Sequence, residues 1–200
     1  MSARSSGAGT PLRVAQLVVN LGMGGAQQLA VQIANARARA GDASHVICMT
    51  DPGPLSERIL PEVPVHYLHY YRASIRHPWR FLTSLAEGYR LLARLLRQEG
   101  IRVVQSHLPG ANLWALVMTL RGLCRAIPTV HNNREFVYTD DITWVGRLGR
   151  RFGYRLMLRR CPAVVAVSAA VRDSLVQELA LGEREQSRLQ IGRASCRERV

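Results

Sequence analysis

Two histidines stand where predicted strands end, and imidazole is a side chain that can bind a substrate. His107 ends the predicted strand 102–107, and His131 ends the predicted strand 127–131. A neutral imidazole donates or accepts a hydrogen bond with a hydroxyl or a phosphate. One such histidine alone is more often structural, but two at converging strand ends favour a binding site. Four further histidines lack this placement and receive no role: His45, His66, His69 and His77.

A glycine-rich turn, NLGMGG, follows the first predicted strand and leads into a helix. Glycine tolerates a positive φ and lets a ligand approach the main chain, which applies to Gly22, Gly24 and Gly25. The free N–H groups at the helix start favour an anion, and Gln27 adds an amide in the first turn. The pattern predicts either a phosphate or sugar contact or only a tight connection between strand and helix, and both interpretations stay open.

Other polar residues carry weaker signals. Asn132 and Arg134 follow His131 in a polar loop, the kind of segment where recognition residues often lie. Ser168 follows a predicted strand without a GxSxG context, so we interpret it as a helix cap and not as a nucleophile. Because neither HExxH nor paired Cys/His spacing occurs, the sequence predicts no metal and no bound cofactor.

The chain is strongly basic, with 27 basic residues against 14 acidic ones and a formal net charge of +13. Within the predicted helix 144–160, arginines recur every four residues: Arg147, Arg151, Arg155 and Arg159. They fit either an ordinary amphipathic surface helix or a contact with an anionic membrane surface. Nucleic acid is not predicted as a partner, because the sequence shows no aromatic stacking platform and no helix-turn-helix pattern.

Cysteine usage and hydropathy restrict where the protein works. Four cysteines are scattered without CxxC spacing, which fits a reducing compartment. No apolar stretch approaches the roughly 20 residues that a bilayer crossing needs. Residues 1–12 are small and polar, so we expect a flexible N-terminal tail and no secretory signal. These features predict a cytoplasmic protein, at most peripheral at the inner face of the cytoplasmic membrane.

The elements that must position these residues alternate along the chain. Short β-branched runs predict strands 13–19, 45–50, 63–68, 102–107, 127–131 and 163–167. Helical periodicity predicts helices 26–40, 78–100, 111–121, 144–160 and 169–179. The second helix should bury one face, formed by Phe81, Leu82, Leu85, Tyr89, Leu92 and Leu96. This alternation predicts the α/β class, with a Rossmann-like, doubly wound parallel sheet whose ligand edge lies between the first and fourth strands.

An NAD(P)-dependent Rossmann oxidoreductase is one alternative enzyme class. Asp51 follows the second predicted strand, near where the ribose-binding acid of such proteins stands. The third glycine of a GxGxxG pattern that starts at Gly22 falls on Gln27, which counts against this class. A basic membrane-binding module without enzymatic activity is a second alternative, since charge alone would produce it.

Four stretches together resemble the N-terminal half of a family-four, GT-B-fold glycosyltransferase: RVAQLVVNLGMGGAQQLAVQIANARARAGD (13–42), VVQSHLPGANLWAL (103–116), IPTVHNN (127–133) and AVVAVSAAVRDSL (163–175). Members of that family are retaining transferases with two Rossmann-like domains. The N-terminal domain mainly holds the acceptor, and the C-terminal domain holds the nucleotide sugar. The resemblance implies sugar transfer from a nucleotide-sugar donor to a glycan or lipid-linked acceptor in polysaccharide, lipopolysaccharide or glycolipid assembly, with no metal required.

The resemblance also implies roles for individual residues. Gly24, Gly25 and Gln27 match the glycine-rich acceptor loop, although many relatives carry Glu where Gln27 stands. His131 matches the strand-end histidine that faces the donor sugar, which makes it the catalytic candidate. His107 matches a frequently polar position that lines the cleft, so it joins the acceptor-binding set.

The resemblance covers residues 13–190, which we expect to form one acceptor-side domain. The ending IGRASCRERV (191–200) back-translates codon by codon into a short-read sequencing adapter, so we expect a non-native tail there. On this expectation the C-terminal donor domain is missing. The fragment should then be inactive alone, because the groups that stabilise the leaving diphosphate belong to that domain.

Overall fold

A computed structural model describes residues 12–133 and 144–192, and in these ranges seven parallel strands form one sheet. The strands are β1 (Arg13–Val18), β2 (Ala43–Cys48), β3 (Val65–Tyr67), β4 (Val103–His107), β5 (Arg125–Val130), β6 (Val164–Ala166) and β7 (Leu189–Ile191). Their order across the sheet is β3-β2-β1-β4-β5-β6-β7. The predicted doubly wound α/β fold is therefore confirmed.

Helices connect the strands as the periodicity predicts. They are α1 (Gly25–Arg39), α2 (Pro78–Gln98), α3 (Leu108–Leu120), α4 (Trp144–Arg160), α5 (Ala169–Leu179) and α6 (Glu183–Gln186), with a short 3₁₀ helix at Pro54–Arg58. The side chain of Ser168 accepts a hydrogen bond from the amide of Val171, which makes it the predicted cap of α5. The 3₁₀ helix, α6 and β7 were not predicted, because each is too short to show a hydrophobic period.

Strand β1 is the axis about which the chain reverses direction across the sheet. It pairs with β2 on one side and with β4 on the other. Val18 packs with Ala30 of α1 on one face of the sheet, whereas Leu17 packs with Ala111 of α3 on the opposite face. The helices that follow β1 and β4 thus cover opposite faces, and a crevice opens between them at the carboxyl ends of these strands.

The last strand extends the sheet beyond the expected domain end. Ile191 pairs with Ala166 of β6, and the amide of Gly192 donates a hydrogen bond to the carbonyl of Ala166 at 2.8 Å. Ile191, which the sequence analysis placed in the tail, thus completes β7. Residues 193–200 lie outside the described residues.

Helix α2 departs from its predicted buried face in its first half. Leu82 is 54% exposed, whereas Ser84 and Gly88 are buried. The buried positions hold small side chains because the helix lies close to the rings of Tyr70 and Trp114. These two rings meet edge to face, with centroids 5.6 Å apart. In the second half of the helix the prediction is correct, since the two leucines that the predicted face has there, Leu92 and Leu96, are fully buried.

We expect Gly88→Ala to lower the free energy of unfolding by about 1–3 kcal/mol, because overpacking a closed site costs more than the helix propensity gained. A Cβ at this position would lie 2.8 Å from the ring of Tyr70 and 2.9 Å from that of Trp114. The matched control is Gly149→Ala in α4, where a Cβ meets nothing within 4 Å. Urea denaturation that gave both variants the same stability would contradict this packing.

Candidate functional site

The two strand-end histidines lie in direct contact at the carboxyl edge of the sheet. Nδ1 of His107 is 3.0 Å from Nε2 of His131, with ring centroids 5.2 Å apart. The register explains this contact, because His107 pairs with Thr129, and His131 follows Thr129 by two residues on the same face of the sheet. His107 is fully buried and His131 is half-buried, so one edge of the pair faces outward.

A third polar side chain extends the pair into the sheet. Oε1 of Gln16, in β1, lies 2.8 Å from Nε2 of His107, and Gln16 is itself fully buried. The sequence analysis missed Gln16. Its signal was nevertheless present, because Gln16 is the one polar residue among the five buried positions of RVAQLV, and a buried amide has to find a hydrogen-bond partner.

Burial decides the charge state of both imidazoles. Burial, together with the neighbouring His131 ring, lowers the pKa of His107 from 6.5 to about 3. Burial also lowers the pKa of His131 to about 4. Both rings are therefore neutral at neutral pH, so the pair can donate and accept hydrogen bonds but does not present a cation to a substrate.

We expect acid to destabilise the chain through His107. The unfolded histidine binds a proton near its ordinary pKa of 6.5, whereas the folded one resists protonation until about 3. The stabilisation that comes from keeping His107 neutral is complete above the unfolded pKa of 6.5. Below that pH, the free energy of unfolding falls by about 1.4 kcal/mol per pH unit. Urea denaturation between about pH 6 and about pH 4 should show a shallower pH dependence in His107→Gln than in the parent. His77→Gln, at an exposed residue, should keep the parent slope.

The turn from β4 into α3 holds His107 in place. Leu108 has a φ of +70°, a left-handed conformation that costs a non-glycine residue roughly 1–2 kcal/mol. A buried network offsets this cost: Ser106 donates to Oδ1 of Asn112 at 2.8 Å, and Asn112 donates to the carbonyl of Thr129 at 3.1 Å. The start of α3 is thereby tied to β4 and β5, and strain of this kind is characteristic of functional turns.

The glycine turn is built around one side chain, Asn20. Its Oδ1 accepts hydrogen bonds from the amide of Gly22 at 3.1 Å and from Nε2 of Gln27 at 3.0 Å. None of the turn's glycines has a positive φ, so the turn does not use the left-handed backbone that glycine tolerates. What Gly24 provides is space, because a Cβ there would collide with Oε1 of Gln27, whereas a Cβ on Gly25 would meet nothing within 4 Å.

The turn and the imidazoles share one face of the sheet. Gln16 has the same parity along β1 as Val18, which packs against α1, and its register partner on β4 is Gln105, two residues before His107. Helix α1 starts at Gly25 with no acidic residue in its first turn, so its free amides remain suited to an anionic or hydroxyl group. The structure thus places the predicted turn and both predicted histidines along the same side of one edge.

Two weaker candidates add little. Asn132 is exposed directly after His131, in a position open to solvent. Arg134, the second predicted loop residue, lies outside the described residues.

The arginine stripe of α4 has partners within the chain. Arg151 donates to the carbonyl of Glu178, and Arg155 donates to the carbonyl of Leu179 at 2.6 Å. Arg159 pairs with the carboxylate of Glu185 at 3.2 Å. Arginines near a helix C-terminus satisfy its last carbonyls and its dipole, so Arg151 and Arg155 fasten α4 to the end of α5, whereas Arg159 joins α4 to α6 by an ion pair. This favours the structural interpretation of the stripe, and the side chain of the fourth member, Arg147, lies outside the described residues.

A cavity of about 740 Å³ opens on the other face of the same sheet edge. Its walls are mostly apolar and come from the residues just after β1 and β2, from the segment between β3 and α2, and from α2, α3 and α4, with Val19, Met49, Tyr70, Tyr89, Leu113, Trp114, Arg72 and Arg150 among them. None of the predicted site residues at the glycine turn or the histidine pair lines it.

In the described stretches of the chain, no helix is both long and apolar enough to cross a bilayer.

Asp51 does not stand free for a ribose. Its carboxylate accepts hydrogen bonds from the hydroxyl of Tyr71 and from Nδ1 of His69, and these bonds lower the pKa of Asp51. The carboxylate that would define a dinucleotide site is thus engaged within the chain. This observation and the missing third glycine both disfavour the oxidoreductase alternative.

Two of the other histidines, His45 in β2 and His66 in β3, form a cluster of their own. Nδ1 of His45 lies 3.1 Å from Nε2 of His66, and a carboxylate oxygen of Glu99 lies within 4.8 Å of both. The two rings are stacked, with centroids 5.4 Å apart and 19° between their planes.

Comparison with known proteins gives a family. The model of Glycosyltransferase Family 4 matches residues 23–184. Among solved structures, Alr3699/HepE from Anabaena in complex with UDP-glucose has a TM-score of 0.62 at 15% identity, covering 90% of this chain and 43% of that one. A glycosyltransferase from Rickettsia africae has a TM-score of 0.63 at 17% identity, covering 91% and 42%. A sucrose-phosphate synthase structure from Thermosynechococcus elongatus has a TM-score of 0.56 at 11% identity, covering 88% and 92%.

These likenesses differ in what they show. At such low identities the solved structures show the fold alone. This chain spans less than half the length of the Anabaena and Rickettsia proteins. No curated protein sequence matches the chain.

Proposed function

This chain belongs to Glycosyltransferase Family 4, and we propose that it forms the acceptor-side domain of an enzyme that transfers a sugar from a nucleotide-sugar donor to a glycan or lipid-linked acceptor. The observation that carries the proposal is the neutral pair His107 and His131, which meets at the carboxyl edge of the sheet inside the matched range. The Anabaena neighbour binds UDP and UDP-glucose, which supports a nucleotide sugar as donor.

In the proposed reaction the acceptor lies beside the glycine turn. Gly25 leaves the start of α1 open, and Asn20 holds the amide of Gln27 in one orientation. A pre-positioned amide and free helix N–H groups suit the hydroxyls of a sugar acceptor. Gln27 cannot supply a carboxylate, so its role is to orient the acceptor and not to take its proton.

His131 positions the donor sugar in this scheme. The bond between the anomeric carbon and the diphosphate oxygen breaks, the acceptor hydroxyl oxygen forms the new glycosidic bond with retention of configuration, and the acceptor proton leaves with the diphosphate. A neutral imidazole contributes directed hydrogen bonds to sugar hydroxyls without attracting the diphosphate electrostatically. We propose that no metal and no cofactor take part.

Exposed apolar residues at the start of α2 support a lipid-linked acceptor. Trp79 in α2 and Ile75 just before the helix are 81% and 75% exposed, and the exposed Arg76 lies between them in the sequence. Exposed apolar side chains interleaved with arginine suit an anionic lipid surface. We therefore propose a place at the inner face of the cytoplasmic membrane, in polysaccharide, lipopolysaccharide or glycolipid assembly, with these residues and not the α4 arginines as the contact.

In the complete gene product, His131→Ala should lower kcat roughly 100-fold, because a misplaced donor sugar loses its reactive geometry. The measurement is release of nucleoside diphosphate in the presence of acceptor. His77→Ala, which removes an exposed histidine with no predicted role, is the matched control and should keep the parent rate. Near-normal turnover of His131→Ala would remove this residue from the mechanism.

Gly25→Ala should raise the KM for the acceptor while leaving the stability and the donor KM unchanged. The added methyl points into open space in the free chain, so it costs no packing, but it occupies the approach to the start of α1. Initial rates at varied acceptor concentration measure the effect, with Gly149→Ala as the control for an equally open glycine. An unchanged acceptor KM would place the acceptor elsewhere.

A further inference from the structure

Three neighbouring strands contribute one continuous row of polar groups that sugar transfer by His131 alone does not explain. The row runs from Gln16 of β1 through His107 of β4 to His131 after β5. Oε1 of Gln16 lies 2.8 Å from Nε2 of His107, and Nδ1 of His107 lies 3.0 Å from Nε2 of His131. Nε2 of Gln16 is buried without a hydrogen-bond partner among the described residues, which costs free energy, and an apolar residue would pack there without that cost. We therefore looked for an effect of Gln16 on His131, which lies at the outward-facing end of the row.

The row has a direction because each ring is neutral. A neutral imidazole carries a hydrogen on one nitrogen and a lone pair on the other. Nε2 of His107 faces Oε1 of Gln16, which only accepts, so that nitrogen carries the hydrogen. Nδ1 of His107 then holds the lone pair and accepts from Nε2–H of His131. The remaining nitrogen of His131, Nδ1, is left with a lone pair.

We propose that Gln16 is a positioning residue that sets the tautomer of His131 through His107. Nδ1 of His131 makes no hydrogen bond within the described part of the chain, so its lone pair is available to a bound molecule. An acceptor at this point selects a substrate hydroxyl that donates its hydrogen, whereas an N–H would select a lone pair. Only this last step, the use of Nδ1 by a sugar hydroxyl, rests on the proposed function.

The unmodified chain provides the first test. Heteronuclear NMR of nitrogen-labelled protein distinguishes protonated from unprotonated ring nitrogens, and the signals lost in His131→Gln identify His131. We expect hydrogen on Nε2 and a lone pair on Nδ1 in both His107 and His131 at neutral pH. Hydrogen on Nδ1 of His131 would mean that the row runs in the opposite direction, and it would overturn the proposal whatever the protein catalyses.

The second test removes the acceptor at the buried end. Gln16→Met keeps the length of the side chain but leaves a hydrogen on Nε2 of His107 without an oxygen partner, which costs more than leaving a lone pair there. The hydrogen should move to Nδ1 of His107, so that His131 becomes predominantly protonated on Nδ1. Gln105→Met is the matched control, because Gln105 lies beside Gln16 in register but donates its hydrogen bond to Thr129, whereas Gln16 accepts one from a histidine.

The outcomes separate the two proposals. If Gln16→Met leaves the tautomer of His131 unchanged, Gln16 does not set it. If Gln16→Met does not fold, the measurement on the unmodified chain still decides the direction of the row. In the complete gene product Gln16→Met should lower kcat by the roughly 10- to 100-fold that losing an orienting partner of a functional histidine costs at metal sites. Correct tautomers in a protein that transfers no sugar would overturn only the proposed function.

Discussion

The hydrogen-bonded row from Gln16 through His107 to His131 is the constraint on which the candidate site depends. It crosses β1, β4 and β5, the strands on either side of the point where strand order reverses. A doubly wound sheet brings polar groups together at that point, because the helices on either side diverge to opposite faces. The register does the rest, since parallel neighbours place their side chains on the same face and at the same height.

Keeping polar groups inside an apolar sheet has consequences for the surrounding backbone. The left-handed Leu108 makes β4 pass abruptly into α3, and the Ser106–Asn112 network secures the turn from the opposite face. Burial keeps the imidazoles neutral, which suits them to hydroxyl recognition and leaves charge stabilisation to other groups. The same burial explains why the fold resists protonation of this edge.

The surface arginines differ in what they contact. Several of those in α4 bond to groups within the chain, whereas Arg76 beside α2 is exposed. The arginines of α4 resembled a membrane-binding stripe, yet Arg151 and Arg155 bond to the last carbonyls of α5, and Arg159 pairs with a carboxylate of α6. A period of four shows that side chains share a helix face, but it does not show what that face meets. The exposed apolar residues around α2 became visible only when packing showed that Ser84 and Gly88, and not Leu82, face the core.

The order and type of the long elements, the α/β class and the position of His107 and His131 at strand ends could be predicted, because they depend on local periodicity and on turn residues. The sequence also carried the family resemblance that the match over residues 23–184 confirms. Three features became visible in the folded structure alone: Gln16 completes the histidine row, Asn20 organises the glycine turn, and the α4 arginines are paired within the chain. Each of these contacts joins side chains from separate elements. Contacts of that kind depend on strand register and helix packing, which no local pattern encodes.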